Sequence, residues 1–188
     1  DNIVNLIQQS INSARLATAT APQTALNWQN LSSIYRSLIG YGQNAESFAI
    51  ASQQQAILLD PNNPQGYINL GGIYYQLGQW DNAQNRFQVA VKLKNDFPNA
   101  YYNLGHALEQ KGDIKGALEQ YEIVKNLVVN TDQKAYDQIV AEINSLNAKE
   151  QEKQKAEETT PLLGSKEALE INKPDSTLPP KQPKVEIP

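Results

Sequence analysis

The chain has 188 residues, 16 Lys and Arg against 20 Asp and Glu, one His, and neither Cys nor Met. That length suits one sizeable core rather than two crowded domains, and the missing thiols exclude thiol catalysis, zinc-finger clusters and a disulfide framework. A net charge of -4 disfavours a nucleic-acid surface, whose phosphate contacts need concentrated cations, and no apolar run approaches the roughly 18 residues of a membrane span.

Apolar residues recur at three- and four-residue spacing with no strand-like alternation, so an all-α chain is expected. Residues 1–22 read as one helix with Ile3, Leu6, Ile7, Ile11 and Ala14 on a single stripe. Asp1 is preceded by no start Met, which fits a piece of something longer. Residues 23–64 hold two helical segments. The first carries Trp28, Leu31, Ser32, Tyr35 and Leu38, the second Ala49, Ala56, Leu59 and Pro61, with a long turn around Gly40, Tyr41 and Gly42.

Residues 65–98 and 99–130 repeat one another. Tyr67, Leu70, Gly71, Tyr74, Leu77, Gly78, Ala83, Phe87, Ala90 and Leu93 align with Tyr101, Leu104, Gly105, Leu108, Lys111, Gly112, Ala117, Tyr121, Val124 and Leu127, every pair offset by 34. Small residues are expected where two helices cross, Gly71 against Ala83 and Gly105 against Ala117, with Phe87 and Tyr121 filling space toward the next pair. Gly78 and Gly112 should end the first helices in the left-handed conformation. Residues 131–149 read as a helix capped by Thr131, with Tyr136, Ile139, Val140, Ile143 and Leu146 inward. From 150 to 188, where six of the ten prolines fall, too little apolar surface is present to offset the entropy of ordering, and a disordered tail is expected after a charged helix extension. Pro180 to Pro183 has the PxxP spacing of polyproline ligands; a spacer, or an intramolecular ligand using Leu162, Leu163, Leu169 and Ile171, are the other readings.

The 34-residue pattern resembles the tetratricopeptide repeat family, with its aromatic, Leu-Gly, Tyr, Ala, Phe and Pro positions. The resemblance implies a right-handed superhelix of about three repeats. Residues 1–22 would be the second half of a preceding repeat, with Ser10, Ala14, Ala17 and Pro22 in its slots, and the helix from 131 would be a cap. It also implies a concave groove built from the first helices. In the first copy the groove positions are Leu26, Gln29, Asn30, Ser33 and Arg36. In the second they are Gln65, Ile68, Asn69, Gly72, Tyr75 and Gln76, and in the third Asn99, Tyr102, Asn103, His106, Glu109 and Gln110.

Asn30, Asn69 and Asn103 share one register position. A side-chain amide both donates and accepts, so a row of them can pair with the backbone of an extended peptide, while Ile68, Tyr75 and Tyr102 would supply pockets. The repeat arm of the O-linked N-acetylglucosamine transferases is similar in using such an Asn row; the alternative is that the amides bracket neighbouring helices. Co-chaperones of the family hold acidic chaperone tails with Lys, Arg and Asn. Here Gln29, Ser33, Asn69, Asn99 and Asn103 stand at those places and only Asn69 fits, so such tails are disfavoured.

The expected function is therefore non-catalytic binding of an extended peptide or protein segment by Gln29, Asn30, Ser33, Ile68, Asn69, Tyr75, Tyr102, Asn103 and His106, with no cofactor, no metal, no nucleic acid and no membrane insertion. His106 has no nucleophile or oxyanion site beside it in the pattern. Two alternatives remain. The Asn- and Gln-rich stretches, such as Gln53, Gln54 and Gln55, look like bacterial repeat regions appended to membrane proteins of the O-antigen ligase or polymerase type; or the chain self-associates through its repeat ends.

Overall fold

A computed structural model of the chain describes residues 2–159, and every regular element among them is an α-helix. The helices are α1 (Asn2–Thr20), α2 (Ala25–Ser37), α3 (Ala45–Leu59), α4 (Pro64–Gln76), α5 (Trp80–Leu93), α6 (Pro98–Gln110), α7 (Ile114–Val128) and α8 (Gln133–Thr159). Residues up to Glu150 form one compact unit. A second begins at Gln151, and its described part, 151–159, is the end of α8. The PxxP spacing and the four aliphatic residues considered as an intramolecular ligand lie outside the described residues.

Successive helices approach one another closely from α1 through α7, and α4 also meets α6, which makes the first unit a solenoid of helix pairs α2/α3, α4/α5 and α6/α7. Pro64 and Pro98 stand in the first turn of α4 and α6, where a missing N–H costs nothing, and Asn63 caps α4 by accepting from Gln65 N at 3.0 Å. Gly78 and Gly112 sit at φ +70° and +80°. At each, paired bonds close the helix end: Gly78 N to Tyr75 O and Gln79 N to Tyr74 O, then Gly112 N to Glu109 O and Asp113 N to Leu108 O, all 2.9 to 3.0 Å.

The close contact within a pair is made by a ring on a glycine. The ring of Phe87 lies directly on Gly71, where a Cβ would stand 2.5 Å from Phe87 Cε1, and Tyr121 covers Gly105 more tightly still. Ala83 and Ala117 are fully buried, and each aromatic ring lies on the glycine of its own pair while sharing one core cluster with residues of the helices that follow. The first pair solves the same problem with polar groups. Ser32 takes the glycine place and donates to Ala49 O at 2.7 Å; Gln53, at the aromatic place and 1% exposed, donates to Gly66 O of α4 at 3.0 Å.

Core side chains fall into two clusters. One gathers Leu31, Tyr35, Ala49 and Ile73; the other runs from Ile68 through Phe87, Leu104 and Tyr121 to Ile139, Ile143 and Leu146 of α8. α4 contributes to both, so it joins them. One expectation about α8 is corrected. Its cap is Asp132, which accepts from Ala135 N at 2.9 Å, while the Thr131 hydroxyl faces back to the carbonyls of Leu127 and Val128. The helix continues through the charged run to Thr159, and the Glu, Lys and Gln of that run are strong helix formers.

The glycine–ring contact yields a stability prediction. Gly71→Ala should destabilise the chain by about 1 to 3 kcal/mol in urea unfolding, the usual cost of overpacking, and by clearly less in a Phe87→Leu background, where the ring edge is gone. Equal losses in both backgrounds would mean that the ring does not set the spacing.

Candidate peptide-binding groove

The first helices of all three pairs meet on one surface. Arg36 of α2, Gly72 and Tyr75 of α4, and Asn103 and His106 of α6 line one open cavity of about 220 Å³. All five are half-buried rather than free at the surface.

Arg36 spans the gap between the first two pairs. Its Nη2 donates to Gly72 O at 3.2 Å and its Nε to Gln76 Oε1 at 3.2 Å. Gly72 permits this, since a Cβ there would fall 2.9 Å from Nη2. Both acceptors are neutral, and burial lowers the guanidinium's pKa from its ordinary value. Tyr75 stands next along the groove, its ring edge-on to Trp80 at 4.9 Å. Burial and the Glu109 carboxylate both raise the pKa of its hydroxyl.

A second cavity adjoins at His106 and is lined also by Glu109, Tyr121, Glu142, Leu146 and Lys149, so α8 forms one wall of it. Tyr102 donates to Glu142 Oε1 at 2.8 Å, and its hydroxyl is pushed up to about 12, chiefly by burial and then by that carboxylate. The Tyr121 hydroxyl lies 3.0 Å from His106 Nδ1 and 3.3 Å from Glu109 Oε2. With one proton to give, it can serve both only by donating to Glu109 while accepting from an Nδ1–H. The same hydroxyl's pKa is raised strongly, first by burial and then by Glu109 and Glu142. Both carboxylates stand 3.8 Å from the imidazole, and Lys149 lies 3.6 Å from Glu109 Oε1.

The residues expected to contact a peptide are distributed unevenly. Asn103, Tyr75 and His106 come together in the first cavity. Tyr102 is edge-on to His106 at 4.5 Å and directs its hydroxyl to α8. Asn69 is half-buried and accepts from Gln65 at 2.8 Å; Asn103 donates to Asn99 O and Oδ1; neither bond leaves its own helix. Asn30 and Ser33 are exposed and Gln29 is half-buried, all outside the cavity lining. Ile68 is a correction: it is 6% exposed and packed in the larger core cluster with Ala100 and Leu104, so it supports the wall and offers no pocket.

Sequence reasoning undervalued Arg36, which it placed in the groove without a role, and missed Glu142 and Lys149, whose helix it treated only as a seal. The signal was available in the spacing, since Glu142 is three residues from Ile139 and so shares its inward face. No group of three or more His, Cys, Asp or Glu able to hold a metal is present among the described residues, and no described helix is long and apolar enough to cross a membrane.

Comparison with known proteins bears on the fold. Two family models match, one described as TPR repeat over residues 71–112 and one as tetratricopeptide repeat over residues 53–85. No curated protein sequence matches significantly. Similar solved structures include TTC0263, a thermophilic TPR protein of Thermus thermophilus, at 18% identity over 77% of this chain and 75% of that one, with a TM-score of 0.63. The first TPR of RPAP3, bound to the HSP90 peptide SRMEEVD, is similar at 23% identity over 67% of this chain and 94% of that one, TM-score 0.54. The Yersinia enterocolitica type III secretion translocator chaperone SycD is similar at 17% identity over 68% and 88%, TM-score 0.57. The repeat offset, the glycine-ended first helices and the stacked pairs agree with these matches, and residues 53–112 of the chain carry tetratricopeptide repeats.

Proposed function

We propose that this chain is a non-catalytic interaction module that binds an extended segment of a peptide or protein across the first helices of its three repeats. One observation carries the reading: Arg36, Tyr75, Asn103 and His106, drawn from α2, α4 and α6, share a single open cavity, so a ligand laid there touches every repeat at once. Solved structures of similar fold include a peptide-bound TPR and a secretion chaperone, which supports the general class of function.

The chemistry favours recognition of backbone over side-chain charge. Asn69 and Asn103 spend only part of their bonding capacity within their own helices, which leaves donor and acceptor positions for a peptide N–H and C=O. Asn30, exposed at the equivalent place in the first repeat, extends the row. Tyr75 and the Tyr102 ring offer flat apolar surface, and the remaining N–H groups of the Arg36 fork offer donors to a carbonyl or carboxylate. Toward α8 the surface turns acidic through Glu109 and Glu142.

Two outcomes are expected. In a peptide-array comparison, the Asn30/Asn69/Asn103→Ala triple variant should lose at least about tenfold in affinity for its best ligands at unchanged helicity, the sum of three modest hydrogen-bond contributions. Unaltered binding would remove the amide row from the site. Separately, the peptide SRMEEVD should bind no better than its scrambled counterpart in fluorescence anisotropy, because Gln29, Asn99 and Asn103 stand where the acidic-tail clamp needs cations. Micromolar binding that weakens with salt would overturn that exclusion.

A further inference from the structure

A larger cavity, of about 450 Å³, opens where α1, α2 and α3 come together, and it shares no lining residue with the groove. That volume is typical of a small-ligand site. Trp28, Leu31 and Tyr35 of α2 and Phe48 of α3 form its apolar walls. Tyr35 and Phe48 are stacked with ring centroids 5.0 Å apart, and the Trp28 indole N–H is tied to Pro22 O at 2.8 Å. The rings therefore present fixed, flat surface to the space between them. The 34-residue register shows why that space is open. Ser52, also in the lining, falls where the second and third pairs carry the long side chains of Arg86 and Gln120, so only the first pair is short there.

Polar groups in this cavity have no partners. Ser52 is 5% and Tyr35 8% exposed, yet neither hydroxyl makes a hydrogen bond among the described residues. The hydroxyls of Ser10 and Ser37, by contrast, each turn back to a carbonyl of their own helix. Hydroxyls buried this deeply ordinarily find a partner, so these two point to one that enters from outside. Gln55 and Arg15 border the same space, and their side chains likewise bond to nothing among the described residues. No acidic residue lines the cavity, which leaves the whole Arg15 fork to a ligand and favours an anionic one.

We propose that this cavity binds an aromatic carboxylate, its ring packed on the aromatic walls and its carboxylate held by Arg15, with the Ser52 hydroxyl and the Gln55 amide donating to the same group. The site is separate from the peptide groove and can stand or fall without it. A free aromatic acid carries this chemistry, and so does the C-terminal Phe or Trp of a peptide.

Isothermal titration calorimetry on the whole chain tests the assignment. The probe 2-naphthoate should bind with a dissociation constant below about 1 mM and at least about fivefold tighter than 2-naphthamide, which keeps the rings and loses the charge. Arg15→Gln should abolish that preference and leave the circular dichroism and melting transition unchanged, since Arg15 is exposed and its side chain holds no partner. Ser52→Gln, which puts the third pair's residue into the cavity, should abolish binding of both probes, whereas Arg36→Gln in the groove should alter neither. Binding of acetyl-Gly-Gly-Phe that matches 2-naphthoate, is lost in its C-terminal amide and is lost in Arg15→Gln would make the source a peptide end; binding of 2-naphthoate alone would make it a free acid. Absence of binding up to about 5 mM, equal binding of the acid and the amide, indifference to Arg15→Gln or Ser52→Gln, or a loss caused by Arg36→Gln would each overturn the proposal.

Discussion

The spacing of two helices in a pair depends here on an aromatic ring packed directly against a glycine. Phe87 on Gly71 and Tyr121 on Gly105 bring α5 onto α4 and α7 onto α6 at a distance that no side chain on the first helix would allow. The first helices consequently keep one orientation from repeat to repeat, and positions one turn apart in register become neighbours in space. The shared cavity follows from that registration, because Arg36, Tyr75 and His106, drawn from the first helices of the three pairs, line it together only if the pairs stack alike. Tyr121 adds a second task. The ring that fills the pair carries its hydroxyl through to His106 and Glu109, so the third repeat's packing and its groove chemistry share one side chain.

The first repeat reaches the same end by a different balance of forces. Ser32 and Gln53 replace ring-on-glycine packing with two buried hydrogen bonds to backbone carbonyls, one inside the pair and one across to α4. Such bonds contribute about 1 kcal/mol each when made and cost more when broken, so they specify geometry without adding much apolar burial. The core there is correspondingly small, a cluster of Leu31, Tyr35, Ala49 and Ile73 beside the larger one, with α4 contributing to both. On the groove side the same junction is bridged by Arg36 lying over Gly72. A glycine at 72 therefore has a reason distinct from that of its neighbour at 71: one admits a guanidinium, the other a phenyl ring.

How much of this could be read from residues alone depends on the range of the interaction. The 34-residue offset, the helix-ending Gly78 and Gly112 and the inward stripe of α8 are periodic or local, and the structure agrees with each. Asp132 rather than Thr131 as the cap of α8 is a one-residue choice between two good caps, settled by which side chain can reach Ala135 N. Ile68 escapes a reading by register, which says only that a position faces its neighbours; whether α6 then covers it depends on Ala100 and Leu104, which are more than thirty residues on. Gln53 gave no signal as a core residue, since a glutamine is ordinarily outside, and only the carbonyl of Gly66 explains its burial. The groove was legible as a row of positions, whereas its acidic end was not, because Glu142 and Lys149 come from a helix outside the repeat.

The helix α2 divides its work between two faces. An α-helix turns about 100° per residue, so Arg36 points roughly 160° to 200° away from Ile34 and Leu38. Arg36 faces the cavity shared with Tyr75 and His106, and the two aliphatic residues line a hollow with Ile3 and Leu6 of α1. The packing of α1 on α2, with Ile11 and Ala14 against the cluster of Leu31 and Tyr35, therefore supports the first repeat without taking up the side of α2 that carries Arg36. A ligand laid in the groove meets a helix already held from behind, so less ordering is left for binding to offset.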